Sequence, residues 1–162
     1  MADLPPKKVG LISCSGEEMP EGTISRLAVR KVMETMQKGK TATICLPLFL
    51  AGGEGDRAFA RAYPTIAIDG CEKRCAARGT ERYSGKPAAG IVVSALSPHA
   101  REELGTARRL SACGRDMVMA TATAMSQLVD RLLESSHETE NRPRENSEMA
   151  AAGISGMNQE EK

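Results

Sequence analysis

Short apolar runs alternate with amphipathic stretches along most of the chain. Residues Val9–Ser13, Ala42–Cys45, Thr65–Ile68 and Ala88–Leu96 have the length and the branched side chains of buried strands. Between the first two runs, apolar residues recur at helical spacing over Thr23–Met36. Strands that alternate with helices indicate a parallel sheet covered by helices. The pattern therefore predicts an α/β fold, a small Rossmann-like three-layer domain with a parallel sheet of about four strands.

Capping residues and apolar stripes place the helices between and after these strands. They predict helices over residues 23–36, 56–62, 71–77, 98–113 and 116–133. Thr23 is the expected N-cap of the first helix, and Gly79 is expected to stop the third. Pro98 follows a serine, which is typical of a helix start. Asp69 ends the third strand, and its carboxylate is expected to cap the helix that begins near Cys71.

Length and composition limit the function classes. The 162 residues suit one domain, predicted over residues 1–134, and a tail over 135–162 whose Glu, Asn, Ser, Gly and Pro content predicts disorder. A net charge of +1 and an aromatic fraction of 2% favour neither a nucleic-acid surface nor a membrane surface. With no long apolar run or signal-like segment, we expect a cytoplasmic protein. In that reducing compartment, cysteines indicate metal binding or catalysis rather than disulfides.

The cysteines follow the predicted strands. Cys14 and Cys45 end the first two, Cys71 follows the third, and Cys75 comes one helical turn later on the same predicted helix face. Because the carboxyl ends of parallel strands share one edge of a sheet, the four thiols can meet there. Four is the ligand number of a closed tetrahedral metal site. We therefore predict a metal site formed by these four cysteines, and expect Cys113 to be an ordinary core or surface thiol.

Four neighbouring residues are expected to support the thiolates without binding the ion: Ser15, Gly16, Asp69 and Gly70. Gly16 permits a tight turn beside the site, and the Ser15 hydroxyl can donate a hydrogen bond to a sulfur. By capping the following helix, Asp69 orders the backbone amides near the thiolates. These roles follow from position in the sequence alone.

Several of these residues also indicate a family. The stretch Asp69-Gly70-Cys71 followed by Cys75, Cys14-Ser15-Gly16 after the first strand, and Cys45-Leu46 after the second resemble the DGC-domain proteins of bacteria and archaea. The resemblance covers about residues 8–94. It implies zinc binding through four cysteines, which fall at positions 14, 45, 71 and 75, and it brings no established activity.

Three functions remain open at this point. The chain is a metal-binding accessory or carrier protein, a thiol-redox enzyme that uses Cys71 and Cys75, or an electron-transfer protein with an iron–sulfur cluster. The sequence shows no complete set of catalytic residues. The loop of the low-molecular-weight phosphatases, for example, needs an arginine at the position where this chain has Pro20. A non-enzymatic metal-binding module is therefore favoured slightly, with Zn²⁺ as the expected ion. An unidentified protein partner and a homodimer through the last helix are both compatible with the sequence.

Overall fold

Four parallel strands form one sheet in the order β2-β1-β3-β4 in the computed structural model, which describes residues 7–14 and 16–140. The strands are β1 (Val9–Ser13), β2 (Thr41–Thr43), β3 (Thr65–Asp69) and β4 (Ala89–Val92). The expectation of a Rossmann-like α/β domain with four parallel strands is therefore confirmed. β2 ends two residues earlier than predicted, so Cys45 lies beyond the strand rather than at its end.

Seven α-helices surround this sheet in the described part of the chain. They are α1 (Pro20–Lys31), α2 (Pro47–Ala51), α3 (Glu54–Arg57), α4 (Phe59–Ala62), α5 (Cys75–Tyr83), α6 (Val93–Leu96) and α7 (Ala112–Glu140). A π-helical turn, Val32–Met36, continues α1, and a 3₁₀ turn covers Arg101–Leu104. The single helix predicted over residues 56–62 is therefore two short helices, α3 and α4.

Strand residues alternate between two apolar layers, one on each face of the sheet. Leu11 and Ile66 belong to the larger layer, which packs against α1 and α7. Ile12 and Ala67 point to the opposite face, where they meet Phe49 of α2 and the alanines at the start of α5. All four of these strand residues are fully buried. The sheet thus lies between two helical layers, as the three-layer prediction requires.

The first helix begins three residues before the predicted N-cap. Pro20 occupies the first turn, where its missing N–H costs no helical hydrogen bond. Thr23 lies inside the helix, and its hydroxyl donates to the carbonyl oxygen of Ala107. The loop between β1 and α1 is therefore three residues shorter than a helix over residues 23–36 would give.

The helix after β3 begins later than predicted. Residues Cys71 to Arg74 form a turn, Arg74 adopts a left-handed conformation (φ 52°), and α5 starts at Cys75. Gly79 lies inside α5, which continues to Tyr83. Cys71 and Cys75 therefore do not share one helix face, and that part of the prediction is wrong.

The segment after β4 differs most from its prediction. The strand ends at Val92, and the next four residues form α6 rather than more strand. No helix spans 98–113: a single 3₁₀ turn ends at Leu104, and Gly105 (φ 92°) reverses the chain into a short antiparallel bridge with Leu110. At Gly105, a Cβ would lie 2.5 Å from the Arg109 carbonyl oxygen, so this turn requires glycine.

The last helix is longer than predicted, because α7 begins at Ala112 and reaches Glu140. Cys113 lies in its first turn and packs, half-buried, against the larger core. The predicted tail begins inside α7, and residues 141–162 lie outside the described residues, so the division into a domain and a disordered tail stays a prediction. Within the described residues, every helix is too short or too polar to cross a bilayer.

Two methionines of α7 provide a test of this packing. Met125 is fully buried in the larger core, whereas Met119 is 47% exposed on the opposite side of the helix. We expect Met125→Ala to lower the free energy of unfolding by about 2–5 kcal/mol, because it leaves a cavity. Met119→Ala, the matched control, should change it by less than about 0.5 kcal/mol. Urea unfolding followed by circular dichroism measures both, and equal losses would contradict the observed orientation of α7.

Candidate functional site

A cavity of about 480 Å³ opens at the carboxyl edge of the sheet, next to the ends of β1 and β3. Three cysteines line it: Cys14, Cys71 and Cys75. The other lining residues are Gly16, Glu17, Glu18, Met19, Leu46, Asp69, Gly70, Lys73 and Arg74. Cys45 is exposed and does not line this cavity. The sheet edge therefore brings together three of the four predicted thiols.

Cys14 is the most deeply placed of these thiols, with 7% of its surface exposed. Its Sγ accepts a hydrogen bond from the N–H of Gly70 at 3.2 Å and lies 3.6 Å from the Ser25 hydroxyl. The Ser25 hydroxyl also donates to the carbonyl oxygen of Gly22 at 2.7 Å, and in the contact between Ser25 and Cys14 either group can be the donor. Burial raises the pKa of Cys14, which the hydrogen bonds from Ser25 and Gly70 counteract.

Asp69 positions the other two cysteines. Its carboxylate oxygens accept hydrogen bonds from the N–H groups of Ala76 (2.6 Å) and Ala77 (3.1 Å), the second and third residues of α5. The predicted capping role is therefore confirmed, although the helix begins four residues later than expected. Burial raises the pKa of Asp69, whereas the two amide bonds and the charge of Arg74 oppose that shift.

Three glycines allow the loop after β1 to pack closely against the start of α1 and the end of β3. Gly16 has φ 49°, and a Cβ there would lie 2.2 Å from the Cα of Gly22. A Cβ on Gly70 would lie 2.8 Å from the Gly22 nitrogen. The predicted tight turn at Gly16 is thus observed. Gly70 is needed for the same reason, because its backbone also lies close to the backbone of Gly22. Ser15 lies outside the described residues, so its expected contact with a sulfur stays a prediction.

Cys45 is kept away from the cavity by its neighbour. Leu46 lines the cavity wall and packs against the smaller core, whereas Cys45 faces solvent. The Cys45 carbonyl oxygen accepts the N–H of Leu48 at 3.0 Å, which begins the turn into α2. Position in the sequence predicts which cysteines approach the sheet edge, but not which way each side chain points.

The formal charges around the cavity nearly balance while the thiols are protonated. Three carboxylates line it, from Glu17, Glu18 and Asp69, against the two cations Lys73 and Arg74. The Glu17 carboxylate also pairs with Arg26 at 3.0 Å. Any thiol that ionises adds further negative charge to this lining. A bound cation would offset that charge.

An ion pair missed by the sequence analysis lies beside the cavity. Arg101 Nε donates to Glu21 Oε1 at 2.7 Å, and the charge of Arg101 also acts on Cys71 and Glu72. The Glu21 side chain is only 3% exposed, and its Oε2 has no hydrogen-bond partner among the described residues. Nothing in the sequence indicated this pair, because the burial of Glu21 is visible only in the structure and Arg101 is 80 residues away. Ser25 was missed for a similar reason, since nothing in its local sequence indicates contact with Cys14.

The described residues contain no group of three His, Cys, Asp or Glu side chains already placed to hold a metal ion. The donor types suit a thiophilic ion, but the sulfurs must move closer together before they can bind one. The four-cysteine ligand set therefore stays a prediction.

A comparison with protein-family models matches the part of the chain that contains the cysteine motifs around the cavity. The family model described as the DGC domain matches residues 10–113. The matched range covers all of the sheet except its first residue, Val9, and contains all five cysteines. Neither a curated protein nor a solved structure matches the chain significantly.

Two glycines test the close packing of the loop after β1. Gly22→Ala places a methyl group against the Gly16 backbone, so we expect the free energy of unfolding to fall by about 1–3 kcal/mol. Gly55→Ala, the control, adds a methyl group in open space on α3 and should be neutral or slightly stabilising. Chemical denaturation compares the two variants. If Gly22→Ala were as stable as the control, the loop after β1 could shift to accommodate the methyl group without loss of free energy of unfolding.

The buried carboxylate of Glu21 provides a second test. Removing its partner with Arg101→Ala should cost about 1–3 kcal/mol, because the charge then stays buried without compensation. The double variant Glu21→Gln/Arg101→Ala should recover part of this loss, since an amide is less costly to bury than a carboxylate. Urea unfolding of the two variants and the wild type measures the difference. Equal free energies of unfolding of the single and double variants would mean that the burial of the Glu21 carboxylate does not depend on its pairing with Arg101.

Proposed function

We propose that this chain, which belongs to the DGC domain family, is a metal-binding protein whose cavity thiols hold a zinc ion. The observation that supports this proposal is the convergence of Cys14, Cys71 and Cys75, from two neighbouring strand ends, on one cavity of about 480 Å³. In this proposal the protein acts as an accessory or carrier module.

The donor chemistry and the charges support zinc. Thiolates are preferred ligands of Zn²⁺, and they bind it in the deprotonated form. Cys14 already accepts the N–H of Gly70, a bond that strengthens when its sulfur carries negative charge. Lys73 and Arg74 offset part of the excess negative charge of several thiolates around a divalent ion. When bound, the ion would supply a link between β1, β3 and α5.

The lining residues suit retention of an ion better than turnover of a substrate. They provide sulfur donors, carboxylates and two cations, whereas His99 lies outside the lining and its Nδ1 is 3.7 Å from a Glu103 carboxylate oxygen. Carboxylates and thiols can exchange protons, but among the described lining residues there is no histidine that could activate a cysteine as a nucleophile. An accessory or carrier role therefore requires fewer assumptions than an enzymatic one.

Thiol-redox chemistry is a second candidate, supported by one local feature. Cys71 and Cys75 flank a single tight turn and line the same cavity, with Cys75 at the first position of α5. A disulfide between them would form with loss of two protons and two electrons to an acceptor such as another protein disulfide. The metal-binding and redox functions predict different effects of a chelator on the number of reactive thiols.

Metal analysis of the full chain, purified without exposure to oxygen or nickel, tests the proposal. We expect about one zinc ion per chain in the wild type and in Cys113→Ser, the matched control outside the cavity. Cys75→Ser should lose about 10-fold or more in zinc affinity, because a cavity donor is removed. Iron with sulfide in place of zinc would instead indicate an iron–sulfur protein.

Thiol titration separates the metal-binding and redox functions. If zinc occupies the cavity, a chelator should increase the number of thiols that react, and in Cys75→Ser a lower chelator concentration should produce the increase because the ion is held more weakly. A metal-free, folded wild-type chain whose titration is unchanged by chelator would contradict zinc binding and favour the redox function.

A further inference from the structure

We propose that residues 149–161, which follow α7 in the sequence, dock into a surface groove between α1 and α7 of the same molecule. This α1–α7 groove has a volume of about 400 Å³. Its apolar lining comes from Leu27, Val118 and Met119, and its charged lining from Arg30, Lys31, Glu34 and Arg115. It shares no lining residue with the cysteine cavity, so docking here does not depend on metal binding.

The groove contains apolar side chains that the described residues leave open to solvent. Leu27 is 40% exposed and Met119 is 47% exposed, which places both among the most exposed large apolar residues of the described part of the chain. Single exposed apolar residues are common on protein surfaces, whereas two that share one concave surface with Val118 mark a binding surface. Covering them removes apolar area from water, which is favourable.

The charges of the groove indicate what it binds. Arg30 pairs with Glu34 at 3.1 Å, whereas Lys31 and Arg115 form no ion pair with a carboxylate of the described residues. The groove therefore suits an apolar segment that also carries carboxylates. A second copy that presented the same groove would instead bring like charges together, which is unfavourable.

The sequence of residues 149–161 has the complementary pattern. Met149, Ile154 and Met157 are its large apolar residues, and the carboxylates of Glu160 and Glu161 follow them. Lysine and arginine do not occur between positions 149 and 161. The segment can therefore place apolar side chains on the lining of the α1–α7 groove and carboxylates beside its two cations.

The length of the intervening chain permits this docking. At a rise of about 1.5 Å per residue, about 30 Å of helix separates Met119 from Glu140, the last residue of α7. Residues 141–150 span about 33 Å when extended, so the residues after them can return to the groove. A tethered segment has an effective concentration of the order of millimolar. Weak contacts that add little to the free energy of unfolding are therefore sufficient.

A tryptophan reporter in the full-length chain tests the docking, because the chain has no tryptophan of its own. Ile154→Trp places the reporter in the proposed segment, and a peptide of residues 141–162 with the same substitution gives the reference for an exposed side chain. We expect the full-length chain to emit at shorter wavelength than the peptide and to be quenched less by acrylamide. Both signals should be independent of protein concentration.

Charge reversal in the Ile154→Trp chain identifies the binding surface. Lys31→Glu/Arg115→Glu should lower the ratio of docked to undocked segment by about fivefold or more, because attraction to the two glutamates is replaced by repulsion. Arg78→Glu/Arg108→Glu, the matched control, makes the same change in net charge at two exposed residues outside the groove. It should leave the emission unchanged.

Exchanging the charged partners provides the complementary variant. Glu160→Lys/Glu161→Lys, added to Lys31→Glu/Arg115→Glu, should restore the shorter wavelength and the protection from acrylamide, because opposite charges face each other again. Circular dichroism checks that each variant remains folded.

Each contrary result overturns a stated part of the inference. A reporter that is as exposed in the full-length chain as in the peptide would overturn the docking. A shift that grows with protein concentration would show that the segment binds a second copy of the chain instead. Equal losses in the groove variant and its control would exclude the α1–α7 groove as the binding surface. Failure of the exchanged charges to restore docking would exclude pairing with Glu160 and Glu161.

Discussion

The hydrogen bonds from the start of α5 to the Asp69 carboxylate determine most of what surrounds the cavity. They join the end of β3 to the second and third residues of α5, across six intervening residues. This fixes where the helix begins and forces the chain between Asp69 and α5 into a turn. Cys71 lies in that turn and Cys75 at the first position of the helix, so both reach the cavity because of a carboxylate that does not itself need to bind an ion.

Burial sets the electrostatic balance of the site. It raises the pKa of both Cys14 and Asp69, so negative charge at this edge of the sheet is costly unless something compensates it. Backbone amides and Ser25 provide part of the compensation, and Arg74 another part. If the cavity binds a metal ion as proposed, ionisation of Cys14, ion binding and local rearrangement would be parts of one process.

The strands of the sheet could be predicted well because the sequence signal for a buried strand is local. Continuous apolar runs identify buried strands regardless of what packs on them, and three of the four strand positions agree with the structure to within two residues at each end. Helix starts were less predictable, since Asp69 caps a helix that begins six residues later and the Ser97-Pro98 signal is followed by a turn at Gly105. The orientation of Cys45 depends on the packing of Leu46 against α5, a contact between distant parts of the chain.

The outer strands of the sheet have a consequence for association between copies of the chain. β2 at one edge has three residues, and β4 at the other has four before the chain turns into α6. The Thr43 hydroxyl also donates back to the Leu11 carbonyl oxygen, within the sheet. Short edge strands present few unpaired backbone groups to another chain. The fold therefore gives a second copy of the chain little strand edge on which to pair.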